Sequence, residues 1–459
     1  MASTEPLRLR YADGTIVLEG APEADGPPID GLVWDRRVAG WRGRGERYAA
    51  LILALRAEGR AVDDEARRWQ PLPLSLLAVR TPRPYQTEGL EAWVAAGRRG
   101  QVVLPTGAGK SHLAELAMQR TGRPTLIVAP TLDLVGQWHA RLQVAFGVPV
   151  GILGGGVHEV LPITVSTYDS MILHMGRYGD RFALIVWDEV HHLPAPSTLA
   201  AARLALAPFH LGLTATPERP DGREAELQDI VGPIVFRKEI QELAGDFLAD
   251  YETVQLTVHL GPAERAAYDE HHGRYRKFVE DKGISLGGPQ GWANFLRAAA
   301  RSREGRAAHQ SWLAARRISH GSDQKIELLA TLLQEERGRR TIIFTNDNHT
   351  AYRVSRELLV PCISHHTDVK ERRVLLDAFE AGTLPVLATS RVLNEGVDLP
   401  AAEVAIVLSG SGTVREHVQR LGRILRPQPG KSAVLYELVA AETREVGTSA
   451  RRRSHDAYR

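Results

Sequence analysis

Cysteine is almost missing from this chain of 459 residues: Cys362 stands alone. A single thiol excludes disulfides within the chain, cysteine-rich zinc sites and cysteine-bound iron–sulfur clusters. No apolar run approaches the roughly 20 residues that cross a bilayer, and Met1–Arg10 lacks the apolar stretch of a signal peptide. A cytoplasmic protein without membrane attachment is the expectation. There is no H-E-x-x-H metal motif. The adjacent pairs His191–His192, His271–His272 and His365–His366 point their side chains in different directions, so each reads as hydrogen-bonding or surface histidine rather than as a chelate. A large charge of either sign is also absent: the net charge is +2, so nucleic-acid contact has to come from local patches.

Lysine is scarce too, at seven of 57 basic residues, and Lys110 is the only one before Lys238. A lysine kept in an arginine-saturated background marks a place for a compact ammonium that a planar guanidinium does not replace. The apolar content of 43% and charged content of 24% are ordinary for globular proteins. The length calls for several domains.

Residues 1–78 read as a small α+β unit. Leu7–Tyr11 and Thr15–Glu19 alternate like strands around Asp13-Gly14, Tyr48–Glu58 has helical spacing, and Pro71 and Pro73 punctuate a linker. The large aromatics Trp34, Trp41 and Tyr48 read as its core. Over 79–255, short apolar strands (Gln101–Leu104, Thr125–Ala129, Ile163–Ser166, Phe182–Trp187, His210–Leu213) alternate with helical segments, which predicts a parallel sheet wrapped by helices. Residues 256–320 break the alternation with a helical, arginine-rich insert. It resumes over 321–459 with strands at Thr341–Phe344, Val386–Ala388, Val404–Leu408 and Val434–Glu437, followed by a basic tail.

Thr106-Gly107-Ala108-Gly109-Lys110-Ser111 lies between a strand and a helix predicted from about His112. Small residues there let backbone N–H groups turn in around phosphates, and the helix start adds a favourable dipole. Lys110 reaches the β- and γ-phosphates of ATP, and the Ser111 hydroxyl ligates Mg2+. The first glycine of the full pattern is replaced by Leu104, and taken alone the segment also reads as a glycine-rich turn into a helix. Downstream, Leu184–Trp187 runs into Asp188-Glu189-Val190-His191. Asp188 is the second candidate Mg2+ ligand, and Glu189 the residue that orients and deprotonates the attacking water. Arg83 and Gln86 precede the loop, with an amide placed to read the adenine edge. Thr214-Ala215-Thr216 reads either as a relay of the phosphate state or as ordinary helix capping. In Gln419–Arg426, Arg420, Arg423 and Arg426 recur every third residue. Arg423 and Arg426 are candidate arginine fingers and Gln419 joins them as a catalytic candidate. A solvated basic face does not account for Gly422 inside such a helix.

The order of these segments resembles superfamily two helicases, and within them the XPB group in its short archaeal and bacterial form. Leu211–Thr216, Arg391–Pro400, Ser409–Gly412, Glu445-Val446, Arg451–Arg453 and the tryptophans of Trp34-Asp35 and Trp41-Arg42 carry the resemblance over nearly the whole chain. It implies two RecA-like parallel-sheet lobes, a thumb-like insert and a damage-recognition-like amino-terminal domain. It implies a DNA-dependent ATPase that translocates on or opens duplex or forked DNA, in repair or transcription, as a monomeric motor with a nuclease partner. Strand contacts are implied at Thr131, Thr167, Thr345 and Thr389, and nucleotide contacts at Gly396 and Asp398. The family's Arg-Glu-Asp triplet, tied to DNA opening, is Arg219-Pro220-Asp221 here. Proline removes a carboxylate and a backbone donor, so strand separation is the part this chain departs on. An RNA helicase and an ATP-switched DNA clamp that positions a nuclease are the alternatives. In the insert, Arg274, Arg276, Arg297 and Arg316 interleave with Tyr275, Trp292 and Trp312, a pattern for phosphate contact and base stacking. Phe295 and Trp312 are expected to pack the insert onto a lobe.

Overall fold

The computed structural model describes residues 7–77, 80–217, 222–243, 247, 250–286, 290–390, 402–410 and 432–453. The chain folds as two compact units, Met1–Leu104 with Gly109–Lys238, and Pro105–Ala108 with Glu239–Arg459.

The first unit opens with five short strands, β1 (Leu7–Ala12), β2 (Thr15–Glu19), β3 (Val33–Asp35), β4 (Gly40–Arg44) and β5 (Val62–Asp64), in the order β3-β4-β2-β1-β5. The Asp13-Gly14 turn joins β1 to β2, with both residues at positive φ. The helix Tyr48–Ala57 covers this sheet, burying Tyr48, Leu51 and Leu55. Trp41 and Tyr48 are buried here, with Trp34 packed edge-on against Trp41. The same core takes in Ala183 and Leu206 from the following lobe. The proline-punctuated segment after β5 is stitched down as well: Arg68, Leu72 and Leu77 N–H groups donate to the carbonyls of Asp180, Gly122 and Ala145.

The lobe's own sheet has eight strands: β6 (Arg99–Val103), β7 (Thr125–Ala129), β8 (Gly151–Gly154), β9 (Val157–His158), β10 (Ile163–Thr167), β11 (Leu184–Asp188), β12 (Phe209–Thr214) and β13 (Ile234–Arg237). Their order is β13-β6-β12-β11-β7-β10-β8-β9, parallel apart from the β8–β9 hairpin. Every residue of β7, β10 and β11 is buried, as expected of strands covered by helices on both faces.

The second unit holds an all-parallel sheet of β14 (Asp250–Val258), β15 (Thr341–Phe344), β16 (Cys362–Ile363), β17 (Val386–Thr389), β18 (Val404–Val407) and β19 (Ser432–Ala440), ordered β14-β19-β18-β15-β17-β16. β14 pairs along its whole length with β19. The strand that a sequence division at 255 cuts in two is therefore an edge of the second sheet. Between β14 and β15 come the helices Pro262–Asp281, Gly291–Ala300, Arg303–His320 and Asp323–Glu335. Tyr275, Phe278 and Phe295 close a core among the first three. Phe295 thus packs the insert on itself rather than onto a lobe. No described helix is long and apolar enough to cross a membrane.

Candidate functional site

In a parallel sheet, loops leaving the carboxyl ends of the strands gather on one edge, where ligands bind. In the first unit that edge carries the segments after β6, β11, β12, β7 and β10.

After β6 the strand extends by one residue: Leu104 is fully buried and its N–H donates to the Thr214 carbonyl. Leu104 is thus buried and bonded to the sheet directly after β6, which is why a leucine serves where the motif has glycine. The chain then turns through Gly107 and Gly109, both at φ +85°. The helix begins at Lys110, two residues earlier than the sequence pattern suggests. At Gly109 a Cβ would lie 2.4 Å from Gln86 Nε2, so only glycine fits there. Lys110 Nζ donates to the Leu104 carbonyl at 3.1 Å, folded across its own loop. Thr106 Oγ1 is buried with no hydrogen-bond partner among the described residues. An orphaned hydroxyl, two left-handed glycines and a helix start form a cradle that suits an anion.

The helix Pro84–Ala95 begins beside this loop. Buried Gln86 accepts from the Arg83 N–H at 3.0 Å and donates through Nε2 to the Gly109 carbonyl at 3.2 Å. Its amide holds the loop, and Arg83 sits at the same helix start, donating to the Tyr85 hydroxyl at 2.8 Å.

Asp188 ends β11. Its Oδ2 accepts the Trp138 indole N–H at 2.8 Å, and its Oδ1 accepts the Glu189 N–H at 3.1 Å. Burial raises the Asp188 carboxyl above the usual range, opposed by the Trp138 hydrogen bond and then by the Lys110 ammonium. Glu189 adopts φ +47°, a strained conformation for a non-glycine residue and of a kind that clusters at functional sites. Its Oε2 lies 3.4 Å from His191 Nδ1 and 3.5 Å from the Thr214 hydroxyl. His191 Nδ1 and Thr214 Oγ1 are 3.1 Å apart, and Thr214 Oγ1 accepts the Thr216 N–H. The Thr214-Ala215-Thr216 segment is thereby tied to the acidic turn. Trp138 and Tyr168, whose hydroxyl donates to the Asp188 carbonyl at 3.0 Å, were not singled out by sequence. No spacing links them to Asp188; only the fold does.

Further along the edge, Thr131 caps the helix Leu132–Phe146 and Thr167 caps Tyr168–Tyr178, each hydroxyl accepting a backbone N–H. β7 and β10 are neighbours, with Ala129 opposite Thr167, so the two helix starts lie side by side. Gly154 and Gly155 pack against them: a Cβ on Gly154 would meet Ser170 Oγ at 3.1 Å, and one on Gly155 would meet Leu132 at 3.0 Å. This glycine run was legible in the sequence but not read. Two helix amino-termini beside bare backbone make a surface whose dipoles suit an anion.

In the second unit, Thr345 and Thr389 are fully buried neighbours at the ends of β15 and β17. The Thr345 N–H donates to the Thr389 carbonyl, and its hydroxyl lies 3.0 Å from the Asp347 carbonyl. Those hydroxyls brace the loops internally. In the insert, Arg274 and Arg276 pair with Glu270 and Glu280 on their own helix, and Arg297 donates to Asn294, which lowers the basic character expected there. Arg219, Pro220, Asp221, Gly396, Asp398, Gln419, Arg423 and Arg426 lie outside the described residues.

Three family models match: residues 9–66 the xeroderma pigmentosum group B helicase damage recognition domain, residues 80–219 the type III restriction enzyme res subunit, and residues 323–456 the ERCC3/RAD25/XPB C-terminal helicase. The chain is 38% identical to the DNA 3'-5' translocase XPB2 of Sulfurisphaera tokodaii, over 97% of this chain and 99% of that one. It is 30% identical to the DNA 3'-5' helicase XPB of Mycobacterium tuberculosis, matching 81% of this chain and spanning 62% of that longer protein. Among solved structures, the Pyrococcus furiosus Hef helicase domain matches at a TM-score of 0.53 and 19% identity, covering 80% of this chain and 97% of that one. Saccharomyces cerevisiae Dbp5 bound to RNA and ADP BeF3 matches at 0.57 and 15%, covering 82% and 88%. At these identities the likeness speaks for the fold, which is that of paired RecA-like lobes.

Proposed function

This chain belongs to the XPB family of DNA helicases, and from that premise we propose that it couples ATP hydrolysis to movement on, or opening of, duplex or forked DNA in DNA repair. The observation that carries the reading is the meeting of Lys110, Asp188 and Glu189 at one sheet edge, with Thr214 hydrogen-bonded behind them. Thr106, Gly107, Ala108 and Gly109 would wrap the phosphates with backbone N–H groups, Lys110 would meet the β- and γ-phosphates, and Arg83 and Gln86 would flank the base. Ser111 and Asp188 would hold Mg2+, which when bound supplies neutralising charge on the phosphates. Glu189 orients the attacking water and takes its proton, with His191 and Thr214 fixing the carboxylate. Gln419, Arg423 and Arg426 act on the transferring phosphoryl group, and Gly396 and Asp398 face the nucleotide. Thr131, Thr167, Arg219 and Asp221 serve the strand path, and the buried Thr345 and Thr389 brace the loops behind it.

We assign residues 1–78 to damage recognition, 79–238 to the first lobe, 239–258 with 321–459 to the second lobe and 259–320 to a thumb, in a monomeric cytoplasmic motor served by a nuclease partner. Lys110→Ala should abolish ATP turnover, and a variant turning over at the wild-type rate would sink the assignment. Strand displacement measured alongside ATP hydrolysis on forked DNA tests the motor. Pro220, in place of the family's glutamate, favours a second reading, an ATP-switched clamp that positions the nuclease. In that case ATP turnover responds to DNA while no strand is displaced, with or without the partner. Stimulation by RNA instead of DNA would move the substrate to RNA.

A further inference from the structure

A cavity of about 440 Å³ opens in the second unit between the insert helices, the helix Arg444–Arg453 and the loops after β15 and β18. Its size lies within the ~300–1,000 Å³ range of ligand sites. Two chemistries share its lining. One is aromatic: the Trp292 and Trp312 rings stand 4.5 Å apart between centroids, and Tyr275 adds a third ring. The other is guanidinium: Arg316 lies 5.2 Å over the Trp312 ring, Arg444 lies 5.5 Å over Tyr275, and Arg451 completes the set. The carboxylate in the lining is Glu445, and it is already engaged: Oε2 accepts from Lys325 Nζ at 2.7 Å and from the Ala440 N–H at 3.0 Å.

Packing alone does not explain Trp292. Phe295 and Tyr275 fill the insert core at 0% and 2% exposure, while Trp292, on the same helix as Phe295, keeps 38%. An indole left at the mouth of a cavity beside guanidinium groups suits a ligand that is flat and anionic at once. Asn346 and Gly410 also line it, and they follow β15 and β18 at the sheet edge where Thr345 and Thr389 lie.

The geometry points to a pocket for one unpaired nucleotide of the bound DNA strand, its base against Trp292 and Trp312 and its phosphate beside Arg316, Arg444 and Arg451. This rests on the reading of the chain as a DNA motor. A base pair in a duplex keeps its faces stacked on its neighbours. An unpaired base offers a face at the least cost.

The test is an abasic scan with the full chain. Forked DNA is made with one base deleted at a time along the single strand, and the Kd is measured by fluorescence anisotropy. Wild-type protein should show one position where deletion weakens binding by about 5- to 100-fold, the range of a base–aromatic stack. Trp292→Ala, at an exposed position, and Trp312→Ala should each weaken binding of intact DNA and lose the penalty at that position alone. Equal penalties in wild type and both variants, or no position-specific penalty, would overturn the pocket while leaving DNA binding standing. Wild-type protein that binds no DNA would instead overturn the motor reading beneath it. Deoxyadenosine monophosphate is added in a parallel arm. A pocket built for one nucleotide of the strand should let it restore the affinity of the DNA abasic at that position, in wild-type protein and not in Trp292→Ala; a free nucleotide that leaves the abasic and intact affinities of wild-type protein as far apart as before counts against the pocket.

Discussion

Trp138→Phe separates the positioning of Asp188 from everything else at the proposed nucleotide site. The indole N–H donates to Asp188 Oδ2 at 2.8 Å, while Oδ1 is held by the Glu189 N–H at 3.1 Å. Phenylalanine keeps an aromatic ring at this buried position of the helix Leu132–Phe146 and deletes only the donor, leaving a small void. A hydrogen bond to a charged acceptor is worth about 1.5–3 kcal/mol, which corresponds to roughly 10- to 150-fold in an equilibrium constant. Partners that orient metal-binding side chains contribute about 10- to 100-fold to metal affinity, so the two magnitudes agree. Burial works against the Asp188 carboxylate and the Trp138 hydrogen bond is the largest influence opposing it. The Mg2+ concentration that half-saturates ATP turnover should therefore rise about 10- to 100-fold. The assay is steady-state ATP hydrolysis titrated with Mg2+ at fixed ATP, with a thermal melt in parallel. A folded variant whose Mg2+ curve overlays wild type refutes the reasoning. So does a fall in kcat with the Mg2+ requirement unchanged.

Other substitutions probe separate parts of the fold. Gln86→Ala removes the one side-chain bond from the helix Pro84–Ala95 to the Gly109 carbonyl of the loop, together with the helix's own cap to the Arg83 N–H; the KM for ATP should rise by about 5-fold for a loop bond worth roughly 1 kcal/mol, and an unchanged KM in steady-state kinetics counts against the role. Lys325 is fully buried between the Leu408 carbonyl and Glu445, each at 2.7 Å. Lys325→Met strands a buried carboxylate and should cost about 3–5 kcal/mol in denaturant melts, with Lys325→Met/Glu445→Gln regaining most of it. Equal stability of the single and double variants contradicts the pairing. His210 is fully buried, accepting the Trp187 indole N–H at 3.1 Å, and burial depresses its pKa from 6.5 to about 3. The folded state therefore favours the neutral ring: its contribution is complete above 6.5 and is lost as pH falls towards 3, about 5 kcal/mol in all. His210→Gln should flatten the acid limb of urea stability between those values, and parallel limbs for wild type and variant would refute the assignment.

What the sequence made legible follows from where the signal is local. Thr125–Ala129 and Thr341–Phe344 are read residue for residue, because strands buried on both faces are continuous apolar runs. Lys110, Asp188 and Glu189 were readable because a glycine-rich turn into a helix follows one such run and an acidic pair ends another. β5 and β14 were not readable. β5 has three residues and pairs in parallel with β1 across the whole amino-terminal domain. β14 mixes charge with apolar residues and gains its identity only from β19, far along the chain. Trp138 illustrates the same limit at the site: it is one more apolar position on an amphipathic helix until the fold brings its N–H to Asp188. The insert's Arg274 and Arg276 show the reverse error. Composition counts them as basic, while carboxylates four residues away on the same helix face take up their charge.

The attachment of the amino-terminal sheet decides what kind of module it is. A damage sensor on a flexible tether would carry its own core and touch the motor lightly. Here the core is shared, since Ala183 and Leu206 of the lobe complete it. The Tyr11 hydroxyl lies 3.0 Å from the carbonyls of both Met175 and Leu204, and burial pushes its pKa up, which keeps it a neutral donor at that junction. Asp180, almost fully buried, takes the Arg68 guanidinium at 3.0 Å, and the Glu46 N–H donates to the Arg203 carbonyl. Gly45 leaves no room for a side chain against the Leu204 carbonyl, 2.2 Å from where its Cβ would lie, and Gly179 leaves none against the Tyr11 hydroxyl, at 2.4 Å, so the two surfaces meet closely at both glycines. Leu204 follows the helix Pro196–Ala202, which itself follows the acidic turn of Asp188 and Glu189. The amino-terminal sheet is therefore built onto the segment that leaves the acidic turn of Asp188 and Glu189, and it belongs mechanically to the first lobe rather than to a tether.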